Sequence, residues 1–184
     1  FGGARLGLRF IPEAVMMFKT GIPKLLLMTE VTGTNQEELL AKLHVLDKQV
    51  KEKFGYRSRV MKHDEAEKYW KIRRESFSLL RKHVKGLHTA PFIDDIVVPV
   101  ESLPEFMPKI QAILDREKFI YTIAGHAGNG NFHIIPLLDF KKEGIADQVT
   151  RLSNEVYDLI ASYHGSITGE HNDGIVRTPY LHKQ

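Results

Sequence analysis

The chain has 184 residues, and 42% of them are hydrophobic, which is enough to bury one sizeable globular core. It contains no cysteine, which excludes disulfides and thiolate metal sites, so any metal ligand has to be His, Asp or Glu. The formal net charge of +3 comes from 26 basic and 23 acidic residues that are interspersed, which argues against a nucleic-acid partner.

Apolar spacing and capping signals predict strands that alternate with helices. Lys24–Val31 is a dense apolar run, short enough to be a buried strand, and Thr34-Asn35-Gln36-Glu37 has the form of a capping box that opens a helix. The other predicted elements, in chain order, are a strand over Arg57–Met61, a helix from Asp64 to about Lys85, a strand over Phe92–Val100, a helix opening at Ser102, hairpin strands over Phe119–Ala124 and Phe132–Leu138, and a helix over Ala146–Tyr163. This order predicts an α+β fold of ferredoxin-like type, with a mainly antiparallel sheet covered by helices.

The tract from Gly125 to His133 is the most informative part of the sequence, because Asn129-Gly130 lies at its centre between two apolar segments. Asn-Gly is the favoured pair for a two-residue type I′ turn, since both central residues need positive φ. In that register His126 faces His133 directly, and such opposed residues have Cβ atoms roughly 4.5–5.5 Å apart. Two imidazoles at that distance can share one metal ion, so the hairpin predicts a two-histidine site.

A second tract of small residues places Glu170 directly before His171. Adjacent side chains diverge in a strand or a helix, so these two are predicted not to bind one ion together. Glu170 is instead the candidate third ligand beside the hairpin histidines, in a set that suits Zn²⁺ or non-haem Fe²⁺. His171 is then free to act as a proton acceptor.

Spacing alone leaves other interpretations of these residues open. The hairpin histidines could be a partly exposed surface pair. A stand-alone metallohydrolase or a non-haem iron enzyme would use the same His126, His133 and Glu170, and activity of this chain by itself would favour it. A non-catalytic ferredoxin-like binding module would use them only structurally. A phosphate loop is rejected, because the glycine-rich tract leads into a strand and not into a helix.

Arg74 lies between Trp70 and Phe77 on one face of its predicted helix and so interrupts an apolar stripe. One interpretation is a structural ion pair, or a side chain that extends to water. The other is a clamp for a substrate carboxylate, because a planar guanidinium binds a carboxylate through two parallel hydrogen bonds. The adjacent Arg73 could fill the same role.

Three ordered tracts of the chain together resemble one known family. They are Trp70–Glu75, Gly125–His133, and Gly169–Gly174 followed by Pro179-Tyr180, with Asp95–Pro99 as a looser fourth match. The family is the C-terminal, substrate-binding or cap domain of FAD-linked oxidases that act on D-2-hydroxy acids. It includes D-lactate, glycolate and D-2-hydroxyglutarate dehydrogenases, and the resemblance covers roughly residues 24–184.

The resemblance implies a role for each candidate residue. A divalent ion, often zinc, would be held by His126, His133 and Glu170. His171 would be the general base, and Arg74, or Arg73 beside it, would bind the substrate carboxylate. The implied reaction oxidises a 2-hydroxy acid to a 2-oxo acid with hydride transfer to FAD, which a separate N-terminal domain would mainly bind.

Several residues depart from the family pattern. Ile135 stands where some members use an asparagine, and Ile93 stands in place of a substrate-binding lysine, so the resemblance does not assign the particular hydroxy acid. Asn172 replaces the usual glycine after Glu-His, and Asn129 replaces the more common hairpin aspartate.

The domain plan follows from the same resemblance. We expect residues 1–22 to be a connector or docking helix from a missing FAD-binding domain, and residues 23–184 to be the oxidase C-terminal domain, truncated at its end. The start at Phe1 has no initiator Met and no signal-peptide pattern, and no apolar run approaches the roughly 20 residues of a membrane span. We therefore expect a fragment, inactive alone, of a cytoplasmic or membrane-peripheral protein. An electron-transfer partner and a homodimer are also expected.

Overall fold

The structure is a computed structural model that describes residues 25–54, 60–84 and 86–184. The chain forms two compact units, one ending at Phe77 and the other running from Ser78 to Gln184. The predicted connector at residues 1–22 lies outside the described residues, so the domain plan stays a prediction. Among the described residues, no helix combines the length and the apolar character needed to cross a bilayer.

The first unit contains helix α1 (Gln36–Phe54) and most of helix α2 (His63–His83). The predicted buried strand over Lys24–Val31 is wrong, because residues 25–33 are irregular and the Leu25 side chain is largely exposed. A run of apolar residues becomes a strand only where a second strand pairs with its backbone. Of the predicted strand over Arg57–Met61, residues 57–59 lie outside the described residues and residues 60–61 are irregular.

The capping box of α1 is shifted by one residue from its predicted position. The backbone N–H of Glu38 donates to Asn35 Oδ1 at 2.9 Å, and the backbone N–H of Thr34 donates to Glu38 Oε2 at 2.9 Å. Asn35 is therefore the capping side chain, and Glu38, not Glu37, reaches back to the backbone, at the residue before the cap. Asn and Thr both cap helices well, so the sequence pattern alone allowed either position.

The second unit is built on four antiparallel strands: β1 (His88–Thr89), β2 (Ile96–Val97), β3 (Ile120–His126) and β4 (Asn131–Leu138). Strand β4 is central, with β3 along one edge and with β1 and β2 at opposite ends of the other edge. The predicted strand over Phe92–Val100 is thereby reduced to β2, because Pro91–Ile93 forms a 3-10 turn between β1 and β2.

Helices α3 (Leu103–Arg116) and α4 (Ile145–Ser162) cover one face of this sheet, and a short helix α5 (Gly174–Arg177) follows. Fully buried side chains from both helices and the sheet form one core: Ile96, Phe106, Ile110, Leu114, Ile134, Leu152, Val156 and Ile160. The α+β class is thus confirmed. The ferredoxin-like type stays a prediction, because the segment that would form its last strand makes a single bridge, between Val97 and Ser166.

Glu117, just after α3, connects this helix to α4 through a nearly buried carboxylate. Arg151 donates to both of its oxygens, at 3.0 and 2.9 Å, and Gln148 Nε2 donates to Oε2 at 2.8 Å. These hydrogen bonds, first of all those from Arg151, lower the pKa of Glu117 to about 2, although burial favours the protonated form.

We expect Glu117→Gln to destabilise the protein at neutral pH and to have little effect near pH 2. The pKa of Glu117 is lower in the folded than in the unfolded chain, so its contribution is complete above about pH 4.5 and is lost as the pH falls towards about 2. Urea titrations of wild type and variant between about pH 7 and pH 2.5 measure the difference in unfolding free energy. A difference that does not shrink with acidification would contradict this assignment.

Candidate functional site

Strands β3 and β4 are joined by residues 127–130 and not by the predicted two-residue turn. His126 pairs with Asn131 and Ala124 pairs with His133, so the predicted register, with His126 opposite His133, is wrong. A type I′ turn needs positive φ at both central residues, but here only Gly130 is left-handed, at φ 68°, after a 3-10 turn over Ala127–Asn129.

The two hairpin histidines nevertheless lie on the same face of the sheet. The observed register differs from the predicted one by two residues, and side chains alternate between faces with a period of two. His126 and His133 are therefore diagonal neighbours, with ring centroids 6.0 Å apart and ring planes nearly perpendicular.

Glu170 lies at the point where three imidazoles meet. Its Oε1 is 3.1 Å from His133 Nε2, 3.4 Å from His171 Nε2 and 3.5 Å from His126 Nε2. The His133 side chain is only 11% exposed, whereas those of the other three residues are open to solvent. The four side chains form a cluster that is anchored in the sheet and accessible from outside.

The expectation that Glu170 and His171 diverge is wrong, because both side chains turn towards His133. Residues 169–171 belong to neither a helix nor a strand, so the alternation of regular elements does not apply to them. The backbone instead curls around the carboxylate of Asp95. The N–H groups of Gly169, Glu170 and His171 donate to Asp95 Oδ2 at 2.9, 3.0 and 2.8 Å.

Asp95 is itself fully buried and adopts a left-handed backbone conformation, with φ 66°. A fourth donor, Asn131 Nδ2, lies 2.9 Å from its Oδ1. Burial alone would raise the pKa of Asp95, but the N–H groups of His171, Glu170 and Gly169 and the Asn131 amide lower it to about 2. The buried carboxylate is therefore ionised at neutral pH.

Asp94 orients His133 from the opposite side. Its Oδ1 lies 3.1 Å from His133 Nδ1, so a neutral imidazole that donates this hydrogen bond keeps its lone pair on Nε2. That lone pair faces Glu170 Oε1 at 3.1 Å. Two acceptors at such a distance repel each other unless a proton or a cation lies between them, so the site favours positive charge at this point.

The distances from Glu170 Oε1 to the three imidazole nitrogens are close to those between neighbouring ligands of a divalent cation. Ligands bound about 2.0–2.2 Å from a tetrahedral zinc ion lie roughly 3.3–3.6 Å from one another. The three nitrogen atoms lie 3.1–3.5 Å from Glu170 Oε1. The donor atoms that all lie within 4.8 Å of one another are those of His133, Glu170, His171 and Asp95, a group that does not include His126. Asp95 contributes one oxygen to this group. Its oxygens already accept four N–H groups, so it is not a candidate ligand.

The predicted carboxylate-binding residues lie on α2. Arg73 and Arg74 belong to the first unit, whereas the histidine cluster belongs to the second. Both arginines are exposed, and Trp70 is half-buried, so the guanidinium of Arg74 needs no buried partner. Their role in binding substrate stays a prediction.

No sequence pattern predicts a role for Asp94, Asp95, Asn131 or Arg177. Arg177 is buried and connects two loops. Its guanidinium donates to the backbone carbonyl of Asp94, at 2.9 Å, and to that of Asn172. One signal for Asp95 was available in the sequence. The pair Asp94-Asp95 lies between apolar residues in a strand-like run, and a buried carboxylate there requires donors from elsewhere in the chain.

Comparison with known proteins gives a consistent family. D-2-hydroxyglutarate dehydrogenase of Haemophilus influenzae is 31% identical over 117 residues, which are 64% of this chain and 11% of that protein. The mitochondrial D-lactate dehydrogenase [cytochrome] of Arabidopsis thaliana is 34% identical over 115 residues, 62% of this chain and 20% of that protein. Glycolate oxidase subunit GlcD of Bacillus subtilis is 27% identical over 118 residues, 64% of this chain and 24% of that protein.

The aligned segments span less than a quarter of the length of these relatives. The family model described as FAD linked oxidases, C-terminal domain, matches residues 18–184. This match covers all the residues of the cluster around Glu170 and both arginines of α2. The chain belongs to the family of FAD-linked oxidase C-terminal domains.

Proposed function

We propose that this chain is the substrate- and metal-binding domain of an FAD-dependent oxidoreductase that converts a D-2-hydroxy acid to a 2-oxo acid. The observation that carries the proposal is the position of Glu170 Oε1, within 3.1–3.5 Å of three imidazole nitrogens. Membership of the FAD-linked oxidase family supports the flavin chemistry. The names of the three relatives support the substrate class, because D-2-hydroxyglutarate, D-lactate and glycolate are all 2-hydroxy acids.

In this proposal His126, His133 and Glu170 hold a divalent ion, for which zinc fits the donor types. Such an ion, when bound, supplies Lewis acidity that lowers the pKa of a coordinated hydroxyl. Asp94 keeps His133 in the tautomer whose Nε2 faces the site.

His171 accepts the hydroxyl proton of the substrate at Nε2 in the proposed reaction. Its side chain is 58% exposed, so the proton can pass on to solvent. Arg74, or Arg73, binds the substrate carboxylate and orients the Cα–H bond. FAD, held mainly by a separate N-terminal domain, would supply the hydride acceptor.

The rival functions account for fewer of these observations. A stand-alone metallohydrolase or iron enzyme explains the histidine and glutamate cluster but not the match to an FAD-linked family over residues 18–184. A binding module without catalysis explains neither, so we propose no second function.

The test is flavin reduction in the full-length flavoprotein that contains this chain, mixed anaerobically with D-lactate, glycolate or D-2-hydroxyglutarate. We expect at least one acid to bleach the flavin absorbance. We expect His133→Ala to slow that reaction by more than about 100-fold, because even outer-shell partners of a metal site contribute about 10–100-fold. The control is His44→Ala, which removes an exposed imidazole of α1. Wild-type rates in His133→Ala, or no reduction by any of the acids, would contradict the proposal.

A further inference from the structure

Glu170 and His171 lie in a loop that makes no ladder or helical hydrogen bonds of its own at residues 169–171, yet both side chains reach His133. A single buried carboxylate binds this stretch of backbone. Three consecutive N–H groups, those of Gly169, Glu170 and His171, converge on Asp95 at 2.8–3.0 Å. Consecutive N–H groups that point to one anion fix the backbone between them, because each bond restrains the same peptide planes.

The same carboxylate is also tied to the hairpin. Asn131 Nδ2 donates to Asp95 Oδ1 at 2.9 Å, and Asn131 pairs with His126 across the hairpin, two residues before His133. Asp95 therefore connects the loop that carries Glu170 to the strand pair that carries both hairpin histidines.

The loop packs against Asp95 with no side chain between them. A Cβ atom at Gly169 would lie 2.5 Å from Asn131 Nδ2 and 2.9 Å from Asp95 Oδ1, both closer than van der Waals contact. Only glycine lets the backbone approach the carboxylate this closely.

We propose that Asp95 is a positioning residue, whose carboxylate holds the backbone of residues 169–171 so that Glu170 and His171 both face His133. This role in holding the loop stands on the hydrogen bonds and the burial of Asp95. Its consequence for ion binding rests on the proposed function.

The experiment compares wild type with Asp95→Asn in the full chain. Asparagine has nearly the same shape, but its NH₂ group can only donate, so it cannot accept the N–H groups that one carboxylate oxygen now receives. Amide hydrogen exchange at Gly169, Glu170 and His171 is expected to rise at least tenfold. The affinity for Zn²⁺, titrated as the metal alone, is expected to fall by about 10–100-fold. The absorption spectrum of the Co²⁺-loaded chain is expected to change, a signature that a general loss of stability does not produce.

Two further variants complete the design. Asp158→Asn makes the same substitution at an exposed carboxylate on α4 and is expected to behave as wild type in all three measurements. Gly169→Ala displaces the loop while leaving the charge of Asp95 in place. It is used in place of Asp95→Asn if that variant does not fold.

The outcomes separate this inference from the proposed function. A folded variant with wild-type exchange at residues 169–171 overturns the positioning role. Faster exchange with an unchanged Zn²⁺ affinity, in a protein whose wild type binds zinc, overturns its consequence for the ion site. If the wild type binds no zinc, the proposed function fails, and the exchange rates alone then decide whether Asp95 holds the loop.

Discussion

Zinc affinity is expected to fall by more than about 100-fold when Glu170 is replaced by glutamine. Glu170 Oε1 lies within 3.5 Å of all three imidazole nitrogens, and its substitution removes the only negative charge among the predicted ligands. A neutral amide of the same shape is a poor ligand for a divalent cation, so packing is preserved while charge is lost. Titration with Zn²⁺ against a chelating indicator measures the change.

Glu143→Gln is the matched control, because Glu143 is exposed and lies outside the cluster around Glu170. It is expected to bind zinc as wild type does. Equal affinities for Glu170→Gln and wild type would show that Glu170 is not a ligand and would remove the main support for the metal site.

Gly130→Ala is expected to lower the free energy of unfolding by about 2–5 kcal/mol. Gly130 has φ 68°, a conformation that costs other residues roughly 1–2 kcal/mol, and overpacking typically adds about 1–3 kcal/mol. A Cβ atom there would lie 1.8 Å from the carbonyl oxygen of Val98, which is backbone and cannot move aside by a side-chain rotation. A shift of the Gly130 backbone away from Val98, which would relieve this contact, would break the hydrogen bond from Val98 N–H to the Gly130 carbonyl. Urea titration of the full chain measures the loss.

Gly128→Ala provides the control for the same turn. A Cβ atom at Gly128 would have no neighbour within 4 Å, and its φ is not left-handed, so we expect a change of less than about 0.5 kcal/mol. Similar losses for the two variants would mean that the contact between Gly130 and Val98 does not hold the hairpin in place.

The hairpin shows what a sequence pattern can and cannot predict. Alternation of side chains is a property of any strand, so it correctly predicted that His126 and His133 share a face. The register depends on the loop, and the loop is set by the contact of Gly130 with Val98, a residue distant in sequence. Asn129-Gly130 alone cannot indicate that contact, so the predicted register was wrong by two residues.

The burial of apolar side chains was predicted correctly only for elements that pack against another element. The apolar faces of α3 and α4 were recognised from their spacing, because a helix satisfies its own backbone and needs only a surface to pack on. The apolar run at Lys24–Val31 has the composition of a strand, but pairing is a property of two segments and cannot be read from one. The described part of that run is irregular.

The roles of the site residues stay a prediction, but the structure shows how their side chains are arranged. His126, His133 and Glu170 were selected by residue type and by resemblance, and they lie together. The convergence of His171 on the same point depends on the hydrogen bonds that Asp95 accepts from the loop. Those bonds join residues more than 70 positions apart, which is why local rules for adjacent side chains gave the wrong orientation.

The most direct measurement is the metal content per chain, determined by elemental analysis on wild type and His133→Ala after loading and then dialysis against metal-free buffer. A metal site at His126, His133 and Glu170 predicts near-stoichiometric zinc, iron or manganese in the wild type and its loss in the variant. Absence of bound metal from both proteins, or equal amounts in both, would contradict it.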